Sequence, residues 1–268
     1  MKTISLLLAI TALCLGSSTP PKIVASKVER EIIVSHWGEM VHIKDYVELE
    51  NRSPSPKKEF FRGDYPVGPK LRTADVDYFH FFMSLIEAPA VFFDYRDEIG
   101  MIYSHEEPVT RLNVTVIGLS PRYPLLGGWR TSYTLSYKIP LHHVLHKKEP
   151  NYVFKMNVVE RIYKGMIVEK LTTRIVLPEH VTNVSVTVPY NMTRRSDQLE
   201  SSYLDTYGRH VITLEKKNVT ADHIRPFTIS YVYQSYHVIR EPIMAFSFYL
   251  VSFVLAIIYS RFDFSIEK

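Results

Sequence analysis

Two short clusters in the sequence carry side chains that could do chemistry. Asp75-Val76-Asp77 has the D-x-D form with which metal-dependent sugar transferases hold a nucleotide diphosphate through a divalent ion. Two carboxylates supply the hard oxygen ligands that such an ion needs. The motif is only three residues long and no nucleotide-binding βαβ pattern surrounds it, so we interpret it as a solvated loop. A metal-dependent sugar transferase that uses Asp75 and Asp77 is kept as a second alternative.

The second cluster consists of His142, His143 and His146 in the sequence HHVLH. A zinc peptidase would need the glutamate of an H-E-x-x-H motif, which is absent, and a zinc site needs further ligands. We therefore predict loop histidines between strands. The sequence also lacks a G-x-S-x-G elbow and a Gly-rich phosphate loop. These observations predict no catalytic residue, no metal site and no cofactor, and they favour a binding or scaffolding module.

Five Asn-x-Ser/Thr triplets are candidate acceptors of N-linked glycans: Asn51, Asn113, Asn183, Asn191 and Asn218. Asn51 is the weakest candidate because Pro54 directly follows its acceptor Ser53. Asn113 is predicted to lie within a strand, whereas Asn183 and Asn191 flank a strand and are expected to be accessible. All five precede a long apolar run, which suits a chain whose larger part lies in the lumen.

The apolar run covers residues 243–260 and contains no formal charge, no Gly and no Pro. A helix of that length rises about 27 Å, which suits the hydrocarbon core of the endoplasmic reticulum membrane. Residues 1–18 have the basic start, short apolar core and small residues of a secretory signal peptide. We therefore predict residues 19–241 as a lumenal region with a sub-boundary near 120, residues 242–260 as a transmembrane helix and residues 261–268 as a cytosolic tail. The predicted topology is single-pass type I, with membrane lipid contacted through residues 243–260.

Composition and periodicity predict a mainly β protein. The chain has 18 Tyr and 14 Phe but only 10 Gly, and apolar residues alternate with polar ones in several segments. Its formal charge of +4 is spread without a basic stripe, so no nucleic-acid partner is expected. Cys14, the single cysteine, lies in the signal peptide, so the remaining chain has no disulfide. We expect a β-sandwich-like lumenal region plus one transmembrane helix. Strands are predicted at residues 41–49, 112–116, 133–139, 152–158, 168–176, 184–188, 211–214 and 227–233, and the segment 79–86 is left as helix or buried strand.

Eight short motifs resemble, in order, those of the ribophorin I family, a subunit of the oligosaccharyltransferase complex. They are SHWG at 35–38, YRDEIG at 95–100, RYPLLGGW at 122–129, LPE at 177–179, YLDTYGR at 203–209, KKNV at 216–219, EP at 241–242 and RFDFSI at 261–266. The family-motif positions that we single out are Ser35, His36, Trp37, Gly38, Tyr95, Arg96, Asp97, Glu98, Gly127, Gly128, Trp129, Asp205, Gly208 and Arg209. We expect Gly127 and Gly128 to form a turn with positive φ that leaves Trp129 to pack, and Gly208 to bend the chain before a strand.

The resemblance implies a role in protein N-linked glycosylation. The complex transfers a preassembled glycan from dolichol diphosphate to Asn of Asn-x-Ser/Thr in nascent chains in the lumen. The ribophorin I subunit is implied to be non-catalytic and to reside in the endoplasmic reticulum membrane. The implied partners are the other subunits, including the catalytic one, with the translocon and nascent chains as further candidates.

The resemblance also implies another lumenal β domain before the SHWG motif and a helical tail after the FSI residues. Since this sequence holds neither, we expect a half-length relative: a shortened paralogue, a splice form or an incomplete gene model. The first alternative function is a cell-surface adhesion or receptor protein built on a β-sandwich.

Overall fold

The computed structural model describes residues 23–36, 38–53, 82–103, 107–148, 150–202 and 205–261. The predicted signal peptide, Trp37, Asp75 with Asp77 and the tail beyond residue 261 lie outside these described residues. The described chain forms three β-sheets followed by one long helix.

The largest sheet has eight strands, and we call it the main sheet. Its path runs β12-β14-β10-β1-β2-β7-β4, and β13 also pairs with β14. β1 and β10 run parallel, and every other neighbouring pair on this path runs antiparallel. The strands are β1 (Ile23–Ser35), β2 (Met40–Asn51), β4 (Val91–Arg96), β7 (Arg130–Pro140), β10 (Ile167–Glu179), β12 (Thr193–Arg194), β13 (Gln198–Glu200) and β14 (Arg209–Thr220).

Two smaller sheets contribute apolar side chains to the same hydrophobic cluster as the main sheet. One has the order β11-β15-β9-β8 and the other the order β3-β6-β5. Their strands are β3 (Phe82–Ile86), β5 (Val109–Arg111), β6 (Val114–Leu119), β8 (Leu145–Lys148), β9 (Asn151–Asn157), β11 (Thr182–Thr187) and β15 (Pro226–Val232).

Strict alternation explains why the central strands pair as they do. In β2, Val41, Ile43, Val47 and Leu49 are buried on the inner face, which Asp45 interrupts, and the residues that alternate with this set face outward. β7 repeats this pattern, so the two strands present one apolar face to the core and one polar face to the outside. The polar outer face of the main sheet carries ion pairs such as Arg174 with Glu31.

Within the described residues, helical structure occurs in connections and at the C-terminal end. α1 (Leu141–Val144) is a single turn, and 3₁₀ turns cover Ala221–His223 and Ser235–Ile239. α2 (Arg240–Arg261) has 22 residues and is apolar on all sides, so it rises about 33 Å. With the turn before it, α2 is, among the described residues, the single helix long and apolar enough to cross a membrane. The prediction of a mainly β protein with one such helix is confirmed.

Several details differ from the sequence-based expectations. Leu112 and Asn113 both have positive φ, at 48° and 65°, and form the two-residue turn of the β5–β6 hairpin. The prediction that they belong to a strand was wrong, since the strand begins at Val114. His142 and His143 lie in α1 and His146 lies in β8, rather than in a loop. The ambiguous segment 79–86 is a strand over its described part, Phe82–Ile86.

Candidate functional site

The clearest concave site is a cleft of about 460 Å³ beside the β4 edge of the main sheet. We call it the edge cleft. Residues 97–99 after β4, residues 122–125 and the residues leading into β7 line it, with Tyr46 and Glu48 of β2. Two motifs that are separate in the sequence, YRDEIG and RYPLLGGW, therefore meet at one site.

An ion pair between Asp97 and Arg122 holds these two motifs together. Arg122 Nε donates to Asp97 Oδ2 at 2.6 Å, and Nη2 donates to Oδ1 at 2.9 Å. The backbone N–H groups of Ile99 and Gly100 also donate to Oδ1, each at 2.9 Å. The hydrogen bond from Arg122 lowers the pKa of Asp97 to about 2, aided by those backbone donors and against the effect of burial. The carboxylate is therefore ionised and fully engaged at neutral pH.

The glycine turn of the second motif is fastened to the end of β2. Gly128 has a φ of 80°, and its N–H donates to the carbonyl oxygen of Asn51 at 2.7 Å. Asn51 returns a backbone hydrogen bond to the Trp129 carbonyl at 3.0 Å. The expected positive φ is present at Gly128, where it suits glycine. Trp129 follows this turn, is 39% exposed and lines the cleft.

The cleft's other arginine, Arg130, is also matched by a carboxylate. Its Nε and Nη2 both donate to Glu50 Oε1, at 3.1 and 2.9 Å. Glu50 also accepts from Arg52, and these hydrogen bonds lower its pKa, with Arg130 the largest cause. Arg122 and Arg130 are therefore each paired with a carboxylate, and the Arg130 side chain stays 75% exposed.

The remaining carboxylates of the cleft accept hydrogen bonds from hydroxyl groups. Ser132 Oγ donates to Glu98 Oε1 at 2.7 Å, and the Tyr46 hydroxyl donates to Glu48 Oε1 at 3.0 Å. Burial raises the pKa of Tyr46, and its hydrogen bond to Glu48 raises it further, so the phenol stays a donor. The cleft therefore places hydrogen-bond acceptors beside exposed aromatic rings.

A second group of motif residues lies where the β region meets α2, and we call it the helix joint. His36 stacks on Tyr233 with ring centroids 4.4 Å apart, and its Nε2 lies 2.9 Å from the Tyr231 hydroxyl. Ser35 lines the same small cavity as His36. These contacts fix the end of β1 against the chain that leads into the long helix.

The other side of the helix joint is formed by Glu179 and the turn before β14. Glu179 Oε1 accepts the backbone N–H groups of Thr206 and Tyr207, at 2.7 and 2.6 Å. Asp205 accepts hydrogen bonds from Nε and Nη2 of Arg209. Burial alone would raise the pKa of Asp205, but these hydrogen bonds and one from the backbone lower it overall.

Gly208 supports this turn with a φ of 84°, as expected for the bend before a strand. A Cβ at this position would lie 3.3 Å from the Glu200 carbonyl oxygen. The hydrogen bonds to Glu179 and Asp205 and the positive φ of Gly208 therefore together hold this turn in place.

Arg240, the first residue of α2, connects the helix to the helix joint. Its Nη1 contacts His180 Nε2, and its guanidinium lies 5.1 Å from the centre of the Tyr207 ring. His180 also stacks on His237, with ring centroids 4.5 Å apart. Burial, followed by the nearby His180 and Arg240, lowers the pKa of His237. Two imidazole rings, the Tyr207 ring and one guanidinium therefore pack together at the base of the β region.

Sequence reasoning missed a cluster of buried charges in the core. Arg30 points inward from β1 and is 1% exposed. Its Nη1 lies 3.4 Å from Asp45 Oδ2, and its Nη2 donates to Glu160 Oε1 at 3.2 Å. The Tyr137 hydroxyl donates to the same Asp45 oxygen at 3.3 Å. The only signal in the sequence was Asp45, which interrupts the apolar face of β2.

The histidines of the HHVLH sequence do not converge with other ligands. The rings of His142 and His143 lie side by side, 4.2 Å apart between centroids. Within the described ranges, no group of three or more His, Cys, Asp or Glu residues is placed to hold a metal ion. Asp75 and Asp77 lie outside those ranges.

Comparison with known protein families shows to which family the chain belongs. Residues 17–260 match the family model described as Ribophorin I. The chain belongs to the ribophorin I family.

Relatives within the ribophorin I family match nearly the whole chain. A Caenorhabditis elegans protein named dolichyl-diphosphooligosaccharide–protein glycosyltransferase subunit 1 is 38% identical over 92% of this chain and 42% of its own length. The Arabidopsis thaliana proteins named subunit 1A and subunit 1B are 35% and 32% identical over 91% and 92% of this chain. The chain spans only 39% and 52% of those two relatives.

Solved structures give only distant likenesses to this ribophorin I family chain. An M1 zinc metallopeptidase from Deinococcus radiodurans has a TM-score of 0.45 at 8% identity, over 78% of this chain and 42% of that one. A protein titled as a putative protease from Parabacteroides distasonis has a TM-score of 0.36 at 12% identity, over 79% and 40% of the two chains. Scores at this level support no functional argument.

The candidate glycan acceptors of this ribophorin I family chain differ in exposure. Asn113 lies at the tip of the β5–β6 hairpin, and Asn183, Asn191 and Asn218 are also exposed. Asn51 is 1% exposed, and its Nδ2 donates to the Leu125 carbonyl at 3.0 Å. A glycan attached to Asn51 would break that hydrogen bond and would have no room beside the buried side chain. The fold therefore favours the other four acceptors.

Proposed function

We propose that this chain is a non-catalytic, membrane-anchored accessory subunit of a dolichyl-diphosphooligosaccharide–protein glycosyltransferase complex. The observation that carries the proposal is its match, over about 92% of its length, to a relative named as subunit 1 of that enzyme. In this role it assists protein N-linked glycosylation in the endoplasmic reticulum by contacting other subunits, including the catalytic one. The translocon and nascent chains are further proposed contacts.

The geometry of the motif residues supports a role in assembly. Asp97 is occupied by Arg122, and Asp205 by Arg209. Carboxylates that are fully engaged in intramolecular ion pairs position the backbone and are poor general acids or bases near neutral pH. The exposed positions, Trp129 above all, are of the type that mediates contacts between proteins.

We also propose a type I orientation, with the β region in the lumen. The described glycan acceptors precede α2, and glycans are added only on the lumenal side. Protease added to sealed microsomes should leave the β region intact, and it should degrade that region only after detergent is added. Degradation without detergent would reverse the proposed orientation.

Purification of the tagged full chain from microsomes in mild detergent tests the assembly role. We expect the catalytic subunit and its companions to co-purify, and we expect endoglycosidase-H-sensitive glycans on the chain itself. Recovery of the chain without those subunits, carrying resistant glycans, would instead support a cell-surface protein.

A paired substitution addresses the enzyme alternative. Asp75→Ala with Asp77→Ala should leave both assembly and the glycosylation of reporter proteins unchanged. Loss of glycosylation with normal assembly would contradict the non-catalytic role, because it would place an essential metal-binding pair in this chain.

A further inference from the structure

We propose that the edge cleft binds a basic segment of a partner polypeptide, with a Lys or Arg side chain entering against Glu48 and Glu98 and beside Trp129. This inference goes beyond assembly into the glycosyltransferase complex and can be tested on the purified chain.

The charges of the cleft select a cation. Arg122 is matched by Asp97 and Arg130 by Glu50, so neither arginine offsets Glu48 or Glu98. Lys27 faces Glu48 across the β1–β2 pair, and its ammonium lies 5.6 Å from the centre of the Tyr46 ring. Its main partner is Glu29 at 2.9 Å, and its interaction with Glu48 is weaker.

Glu48 and Glu98 therefore carry the excess charge of the cleft, which is negative. Glu98 accepts the Ser132 hydroxyl on Oε1, and Glu48 accepts the Tyr46 hydroxyl on Oε1 and, at 3.5 Å, the Ser26 hydroxyl on Oε2. A carboxylate has about four acceptor positions, so both retain capacity for an incoming ammonium or guanidinium group.

The aromatic rings strengthen the case for a cation. Trp129 is 39% exposed and Tyr123 is 40% exposed, and both line the cleft with Tyr46. The face of an aromatic ring attracts a Lys or Arg side chain, and Trp attracts it best. A neutral ligand would leave the excess negative charge of Glu48 and Glu98 unused.

The shape of the cleft suits a segment of chain better than a free ion. Its volume is about 460 Å³, and Ile99 and Tyr123 continue it outward as an exposed apolar rim. Apolar side chains next to the basic residue of a peptide would cover that rim. Ligand sites that combine such apolar area with a few convergent polar groups are the usual form of a specific pocket.

Binding of a short labelled peptide in which lysine alternates with serine tests the proposal. The full chain in nonionic detergent is titrated and fluorescence anisotropy is recorded. Matched peptides carry glutamine or glutamate in place of lysine, and a neutral mannose oligosaccharide competes in a separate arm. We expect only the lysine peptide to bind, and we expect its affinity to fall as salt is added.

Isosteric variants then locate the site. Glu48→Gln and Glu98→Gln should each weaken binding about threefold, and the double variant about tenfold. The glutamine carbonyl can still accept the bonds from Tyr46 and Ser132, so the fold should be retained. The control is Glu215→Gln, which removes a carboxylate paired with Arg195 elsewhere on the chain and should leave binding unchanged.

Three outcomes would overturn the proposal. They are equal binding of the glutamine peptide, an equal loss in Glu215→Gln, and displacement of the lysine peptide by the neutral oligosaccharide. Since the assay needs no other subunit, its failure is distinct from a failure to co-purify with the complex.

Discussion

Replacing Arg30 by Met should destabilise the β region strongly, because it leaves two carboxylates in the core without their cation. Arg30 is 1% exposed, and the side chains of Glu160 and Asp45 are 5% and 13% exposed. Removing one partner of a buried ion pair typically costs about 3–5 kcal/mol. With a urea m-value of about 2 kcal/mol/M, the unfolding midpoint should fall by roughly 2 M.

Arg174→Met is a matched control on the neighbouring strand. Arg174 also contacts two carboxylates, those of Glu31 and Glu200, but it lies on the outer face and is 37% exposed. Exposed pairs contribute about 0–1 kcal/mol, so its midpoint should move by less than roughly 0.5 M. Urea titration of the full chain in detergent, followed by near-ultraviolet circular dichroism, measures both shifts.

The pH dependence of the stability of Arg30→Met tests whether the unpaired carboxylates cause its destabilisation. Burial raises the pKa of both Asp45 and Glu160, although Arg30 opposes this shift. Without Arg30, the pKa of each of these two carboxyl groups in the folded state rises further. As pH falls, the folded state therefore takes up protons before the unfolded state does, and this stabilises it.

The loss of unfolding free energy in Arg30→Met should therefore become smaller as the pH falls from neutral to about pH 5. Adding Glu160→Gln to the same chain should recover part of that loss. A loss no larger than that of Arg174→Met, or one that grows as pH falls, would refute this reasoning.

Four further predictions concern the glycan acceptors, the edge cleft and the helix joint. Asn183→Gln should remove one glycan and increase gel mobility, whereas Ser53→Ala at the buried triplet 51–53 should not, as peptide N-glycosidase treatment would check. Arg122→Met should expose residues 97–101 to limited proteolysis. In the unmodified chain, the stabilisation from Asp97 should be fully present above about pH 4 and lost as pH falls through its pKa of about 2, measured by acid titration. Arg240→Ala should speed cleavage between the β region and α2, since the contact with His180 is removed.

Half-buried antiparallel strands were predictable because their side chains follow a period of two. β2 and β7 show it clearly, and both appear where alternation placed them. β1 was missed although it lies in the middle of the main sheet. Its sequence carries charges on both faces, including the inward Arg30, and the partner Glu160 is 130 residues away. No local pattern can indicate that such a charge will be matched.

The hairpin at Leu112 and Asn113 shows a different limit. Two-residue hairpin turns with positive φ at both positions usually contain Asn-Gly or Asp-Gly. Leucine is unfavourable at φ 48°, and its alternation with Val114 imitated a continuing strand. Leu112 is 99% exposed at the tip, so the pattern was apolar without being buried.

The candidate sites depended on contacts that sequence order does not encode. The YRDEIG and RYPLLGGW motifs are separate in the sequence, and only the fold brings them together through Asp97 and Arg122. Likewise, the ring of His36 reaches Tyr231 across 195 residues. Motif identity could predict that these residues matter, but it could not group them into an edge cleft and a helix joint.

Grouping them separates two physical roles within the family motifs. Asp97, Gly128 and Gly208 hold backbone in place through ion pairs, backbone hydrogen bonds or a positive φ. Such residues are already engaged and have little left to offer a partner. Glu98 and Trp129 directly follow Asp97 and Gly128 in the chain and line the cleft, where a partner can reach them. A substitution of the first kind should therefore lower stability and binding together, whereas Glu98→Gln should lower binding alone.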